Sequence, residues 1–124
     1  MKKVIILIII SLFISIFSIS CSSNKDYMKI AKQLYNEDSH VDFIIVNDTV
    51  YINAAKIDWV MKETLTKSFK LGEIKRSHIT SNYGDFDATV SSVGTVIYET
   101  IESDEILLLE SHGVSTPYLS YVEG

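Results

Sequence analysis

"VDFIIVNDTVYINA", residues 41–54, decides the fold. Two runs rich in β-branched and aromatic residues flank Asn47-Asp48, and runs of that kind split by two turn-forming residues read as a β-hairpin. With a two-residue loop, Val46 stands opposite Thr49, Ile45 opposite Val50 and Phe43 opposite Ile52. Side chains alternate between the faces of a strand. Phe43, Ile45, Val50 and Ile52 therefore share one face, the expected core. Ile44, Val46 and Tyr51 make the other face apolar too, so both sides of the hairpin need cover.

The cover for that second face is sought just upstream. In "DYMKIAKQLYNED" (26–38), Tyr27, Ile30, Ala31 and Leu34 recur at i, i+3, i+4 and i+7, one face of a helix, with Asp26 as the N-cap. A helix this short is marginal alone, and the sequence places it on Ile44, Val46 and Tyr51.

Downstream, "KIDWVMKETLTKSFKL" (56–71) supports two readings. Ile57, Val60, Met61, Leu65 and Phe69 fit a helical stripe ended by Gly72, with Trp59 off the stripe. The competing reading is a strand over 57–61, a turn, and a second strand over 71–79. "SNYGDFDATVSSVG" (81–94) is polar and glycine-bearing and reads as a long loop. "TVIYET" and "EILLLES" then read as strands joined near Glu102-Ser103-Asp104. "SHGVS" turns into a last strand, "PYLSYV", with Pro117 at its start, where a missing N–H is tolerated. The expected fold class is α+β, mainly antiparallel β: a small rolled sheet or partly open barrel with one or two helices.

The N-terminus carries a different signal. Lys2 and Lys3 precede an uncharged run, Val4–Ile19, of 16 residues. That is short of the ~20 residues that span a bilayer and matches the h-region of a secretory signal peptide. The run ends at "SISC", with Cys21 the sole cysteine, so no disulfide can form within the chain. "SISC" resembles the bacterial lipobox, with Ile19 and Ser20 fitting and Ser18 standing where leucine is usual. The resemblance implies that the Cys21 thiol takes a diacylglyceryl group, with palmitate-like acyl chains. Two such chains, at ~0.8 kcal/mol per methylene, hold a protein on a membrane. The expected organisation is a lipoprotein signal peptide over 1–20, a lipidated Cys21 and tether over 21–26, and a single β-rich domain with an N-terminal helix over 27–124. The expected location is the extracytoplasmic face of the cell membrane.

Loss of the leader removes Lys2 and Lys3, leaving nine basic residues against sixteen acidic ones and a net charge near −7. Such a chain is repelled by anionic lipid headgroups and by nucleic acid alike, and its only adjacent basic pair is Lys75-Arg76. No nucleic-acid partner is expected; the expected partners are the membrane, through Cys21, and an envelope protein.

"WVMKETLTKSFKLGEIK" (59–75), "VGTVIYET" (93–100) and "YLSYVEG" (118–124) are similar to small secreted or lipid-anchored proteins of low-GC Gram-positive bacteria. The shared "W…IGEI…VGT.IYE…ILLVE…Y" cadence covers roughly the last two-thirds of the chain. The resemblance implies a location outside the cytoplasm and a β-rich domain; it carries over no catalytic residue.

The residues themselves offer little chemistry. His40 with Asp42, and Glu110 with His112, stand at i, i+2, a spacing that puts both side chains on one face of a strand and suits Zn²⁺. Surface-loop residues are the simpler reading of both pairs, and no metal or cofactor is expected. Asp85, Asp87 and Thr89 offer oxygen ligands but lack the calcium-loop spacing, and the two aspartates read as loop polar residues. Asp58, beside Trp59, reads as a cap or turn residue. Ser77-His78 and Ser111-His112 are adjacent pairs that point to opposite faces of a strand, which makes them poor dyads. No G-x-S-x-G, Walker or dinucleotide-binding glycine pattern occurs. The expected function is a non-enzymatic binding module at the membrane. The alternatives are an inhibitor or immunity-type protein against a secreted enzyme or toxin, and a metal-dependent or hydrolytic envelope enzyme.

Overall fold

The fold is described from a computed structural model, over residues 26–121. The expected signal peptide (1–20), the expected lipidation site Cys21 and most of the expected tether lie outside the described residues. So does the side chain of Asp26, the expected helix cap.

The hairpin forms in the expected register. β1 (Phe43–Val46) and β2 (Thr49–Asn53) pair antiparallel, with Val46 opposite Thr49, Ile45 opposite Val50 and Phe43 opposite Ile52. Asn47 and Asp48 both adopt positive φ, 51° and 59°. That is the backbone of the tight turn whose twist matches the flanking strands.

Four more strands follow: β3 (Lys67–Glu73), β4 (Val96–Thr100), β5 (Ile106–Ser111) and β6 (Val114–Ser120). β3 to β6 form a meander, and β6 returns to pair with β2, giving the sheet order β1-β2-β6-β5-β4-β3 with every pairing antiparallel. The sheet rolls into a half-barrel with two short helices, α1 (Asp26–Glu37) and α2 (Asp58–Met61).

The inside of the roll is one apolar cluster: Ile44, Val46, Ile74, Ala88, Ile97, Leu107, Leu109 and Tyr118, with Tyr51, Leu71 and Phe86 against it. The sequence expectation for the hairpin's two faces is therefore reversed. Ile44, Val46 and Tyr51 face the barrel interior. Phe43, Ile45, Val50 and Ile52 face outward, where Ala31 and Leu34 of α1 and the ring of Tyr83 cover them. Pattern alone could not assign the faces, because both are apolar; the curl of the sheet decides which one is concave. Each fully buried side chain of this size contributes about 1.5–3 kcal/mol, and without α1 the outward face would stand in water.

Residues 56–79 follow neither sequence reading. α2 is a single turn, flanked by Ile57 and ending at Lys62, and the strand that follows begins at Lys67 rather than Leu71. Ala54, Val60, Ile57 and Leu65 cap the outer face of β5 and β6 at Ile106 and Leu119. Asp58 opens α2 and is exposed, as a turn residue should be; Trp59, Met61 and Phe69 remain on the surface.

Pro117 sits inside β6, opposite Leu108, rather than at the strand's start. Its carbonyl accepts from Ala54 N at 2.8 Å, and the Ala54 carbonyl, which would have met an N–H at position 117, accepts instead from Ile57 N at 3.0 Å. β2 has ended at Asn53 by this point, so the proline removes no hydrogen bond that the sheet needs.

The expected long loop, 81–94, holds the barrel's closing segment. Residues 86–89 lie between β1 and the chain that continues β3. Phe86 N donates to Ile45 O (2.7 Å), Ile45 N to Asp87 O (3.0 Å) and Thr89 N to Phe43 O (3.1 Å). On the other side Lys75 N donates to Phe86 O (2.9 Å) and Ala88 N to Arg76 O (2.9 Å). The edge of β1 and the chain beyond β3 are thus paired over that stretch, which hides that part of the edge from another chain. The Lys67–Leu71 part of β3 stays open, broken by register shifts and carrying Lys67 and Lys70, the features that keep an edge from pairing. Among the described residues no helix is long and apolar enough to cross a membrane.

Candidate functional site

Where β1, β3 and β4 reach one end of the roll, the interior opens to solvent. The resulting cleft, of about 350 Å³, is lined by Val46, Leu71, Phe86 and Leu107 at its floor, Tyr51 and Glu99 on its walls, and Asn47, Asp85 and Asp104 at its rim. Glu99 belongs to the inward face because it stands two residues from Ile97 and opposite Leu107. Tyr51 is half-buried, and its hydroxyl pKa is raised, first by burial and then by the Glu99 carboxylate. The neutral Tyr51 phenol and the Glu99 carboxylate together give the wall one hydrogen-bond donor and several acceptors.

The rim is held rather than loose. Asn47 N donates to Asp85 Oδ1 at 2.8 Å, so the β1–β2 turn and the closing segment hold one another. On the opposite lip, Thr100 Oγ1 bonds the carbonyls of Ser103 (2.8 Å) and Ile106 (3.0 Å). Glu102 accepts from the backbone N–H and hydroxyl of Thr66, both at 2.7 Å, which lowers its pKa. Among the described residues, Glu99 and Asp104 enter no ion pair. Three carboxylates, Asp85, Glu99 and Asp104, thus border one small opening with an apolar floor.

The metal candidates from the sequence are dispersed. His40 is exposed after α1, its backbone N–H bonded to Asp38 Oδ1 at 2.9 Å. Asp42 turns the other way, accepting from Tyr118 Oη (2.9 and 3.0 Å) and from Asn53 Nδ2 (2.9 Å). Glu110 pairs with Lys67, whose ammonium also lies 5.1 Å from the Tyr98 ring centroid. His112 occupies the β5–β6 turn at φ 50°, and His78 is exposed at φ 57° on the connection after β3. Among the described residues no three His, Cys, Asp or Glu side chains are grouped to hold a metal ion.

Two acids depart from their expected roles. Asp87 is not a solvated loop residue: it is 2% exposed, bound by Arg76 Nε at 2.8 Å and by Gly84 N at 2.7 Å. A guanidinium thus sits where a bound cation would have to approach Asp87. Glu99 carries no motif, and sequence reasoning passed over it. Its one signal was the alternation of "TVIYET", which puts an acid on the same face as Ile97; an acid there marks the point where an inner face meets water.

No family model, curated protein or solved structure matches this chain.

Proposed function

We propose that the chain is an extracytoplasmic lipoprotein, anchored through Cys21, whose β domain is a binding module for an envelope protein partner. The barrel mouth takes a lysine or arginine side chain of that partner: the apolar stem on Val46, Leu71 and Phe86, the charged head on Glu99 and Tyr51. The observation that carries this reading is the inward-facing Glu99 beside Tyr51 in a cleft with an apolar floor. The net negative charge supports it by favouring encounter with a basic partner. An inhibitor or immunity-type protein uses the same mouth and differs only in that the partner is a secreted enzyme or toxin that loses activity when bound.

The test is in-cell crosslinking of the intact chain, with mass spectrometry of both the captured species and the Cys21 peptide. One protein is captured reproducibly, and Glu99→Gln lowers its yield by about ten-fold or more, the worth of one charge-assisted hydrogen bond. Capture that is indifferent to Glu99→Gln and Tyr51→Phe removes the mouth from the reading. A Cys21 peptide without lipid removes the anchor.

A further inference from the structure

The exposed side of α1 has a character of its own on this acidic chain. Met28, Lys32 and Tyr35 stand at i, i+4 and i+7, along the flank of the Ala31/Leu34 face that packs on the sheet, with Lys29 beside them on the exposed side. Asn82 and Tyr83 form part of the opposite wall of a cleft of about 580 Å³, and no acidic side chain lines it. Lys29 and Lys32 are exposed and, among the described residues, enter no ion pair. Tyr83 is pinned as a wall: its ring tilts on Phe43 at 5.4 Å and its hydroxyl donates to Thr80 O at 3.0 Å. Lysines, a methionine 41% exposed and a tyrosine ring together form a surface that suits the boundary between headgroups and acyl chains.

Chain length puts that surface close to the membrane. Cys21 and the start of α1 at Asp26 are five residues apart, and five extended residues reach at most about 18 Å. The start of the helix at Asp26 is therefore held within roughly two Debye lengths of the headgroups at physiological ionic strength, with Met28 and Lys29 less than one turn further on. We infer that the α1 cleft docks on the anionic phospholipid surface, with Lys29 and Lys32 on headgroup phosphates and Met28 and Tyr35 at the acyl boundary. The inference rests on the anchoring of Cys21 proposed above. Because the rest of the domain is acidic and repelled by the same surface, docking by this one face fixes the domain's orientation.

The experiment uses the full lipidated chain, reconstituted in vesicles of phosphatidylcholine alone or mixed with phosphatidylglycerol. Amide hydrogen exchange is followed over residues 27–36 and 80–83. The expected result is slower exchange at both segments in the anionic vesicles only, reversed by added salt. Lys29→Gln and Lys32→Gln each lower the docked-to-free ratio about five-fold. Lys56→Gln, outside the cleft, leaves it unchanged. Equal exchange in the two vesicle types, with lipid on Cys21 confirmed by mass, overturns the docking while leaving the anchor intact. Protection by inorganic phosphate in neutral vesicles also overturns it, because the cleft is then a small-anion site. A Cys21 without lipid is seen separately, in the mass spectrum, and overturns the anchor on which the docking depends.

Discussion

Arg76 and Asp87 form an ion pair that is buried at one end and open at the other: the Asp87 side chain is 2% exposed and that of Arg76 54%. The pair ties the chain beyond β3 to the closing segment 86–89, and Arg76 Nη2 also reaches Asn82 O at 3.2 Å. Asp87 has little water to return to if it loses its partner, whereas Arg76 has ample.

The two halves of the pair therefore differ in cost. Arg76→Met leaves a buried carboxylate with only Gly84 N to bond it and is the more destabilising of the two changes. Asp87→Asn keeps the shape, leaves the guanidinium solvated, and costs about 1–2 kcal/mol. Arg76→Lys recovers only part of the loss, since a single ammonium does not reproduce the paired guanidinium contact. Urea unfolding of the three variants measures the order; equal losses for Arg76→Met and Asp87→Asn would show that burial does not set the asymmetry.

A second contact fixes the same segment from the other side. A β-carbon added at Gly72 would lie 3.0 Å from Phe86 Cε1 and 3.1 Å from Cζ. The Phe86 ring thus packs tightly over Gly72, and the ring in turn floors the cleft. Gly72→Ala pushes the ring outward, an overpacking cost of about 1–3 kcal/mol. Phe86→Leu gives up part of the contact but makes room. The two changes together cost less than their sum, by about 1 kcal/mol, because both act on the same contact. A double-mutant cycle by chemical denaturation checks this, and simple additivity would mean that the ring yields without cost.

The hairpin register and the strands β4 to β6, though not β3, were legible because period-two patterning and Asn47-Asp48 are local signals, and the pairing of Phe43 with Ile52 follows from them. The assignment of inside and outside was not legible. Ile44 and Ile45 are both fully buried, one in the barrel and one under α1, and only the direction of curl tells them apart. Residues 86–89 were unreadable as a strand for a related reason. Their order comes from hydrogen bonds to Ile45 and Phe43 on one side and to Lys75 and Arg76 on the other, all distant in sequence. The same holds for the site: Tyr51, Phe86 and Glu99 come from three separate parts of the chain and meet only because the sheet rolls.

Tyr118 links the hairpin to the C-terminal meander and makes the fold sensitive to alkali. Its hydroxyl donates to the Asp42 carboxylate and meets Ser91 Oγ at 2.9 Å, with the side chain 3% exposed. Its pKa is raised well above the ordinary 10.0, chiefly by burial, with the neighbouring Asp42 charge acting in the same direction. A folded-state pKa above the unfolded one means that the native state holds its proton more tightly. The stabilisation is complete below pH 10 and declines as pH rises from there toward the folded value. At neutral pH Tyr118→Phe is less stable than the natural chain by about 1–2 kcal/mol, because Asp42 loses a donor in a partly buried site. Above pH 10 the phenylalanine has no proton to lose, so the gap between the two chains narrows. Tyr51 and Tyr83, whose pKa values are also raised, leave a residual decline in both. Thermal midpoints measured from neutral pH upward test this: converging curves support the assignment, and parallel curves would place the alkaline sensitivity on the other tyrosines.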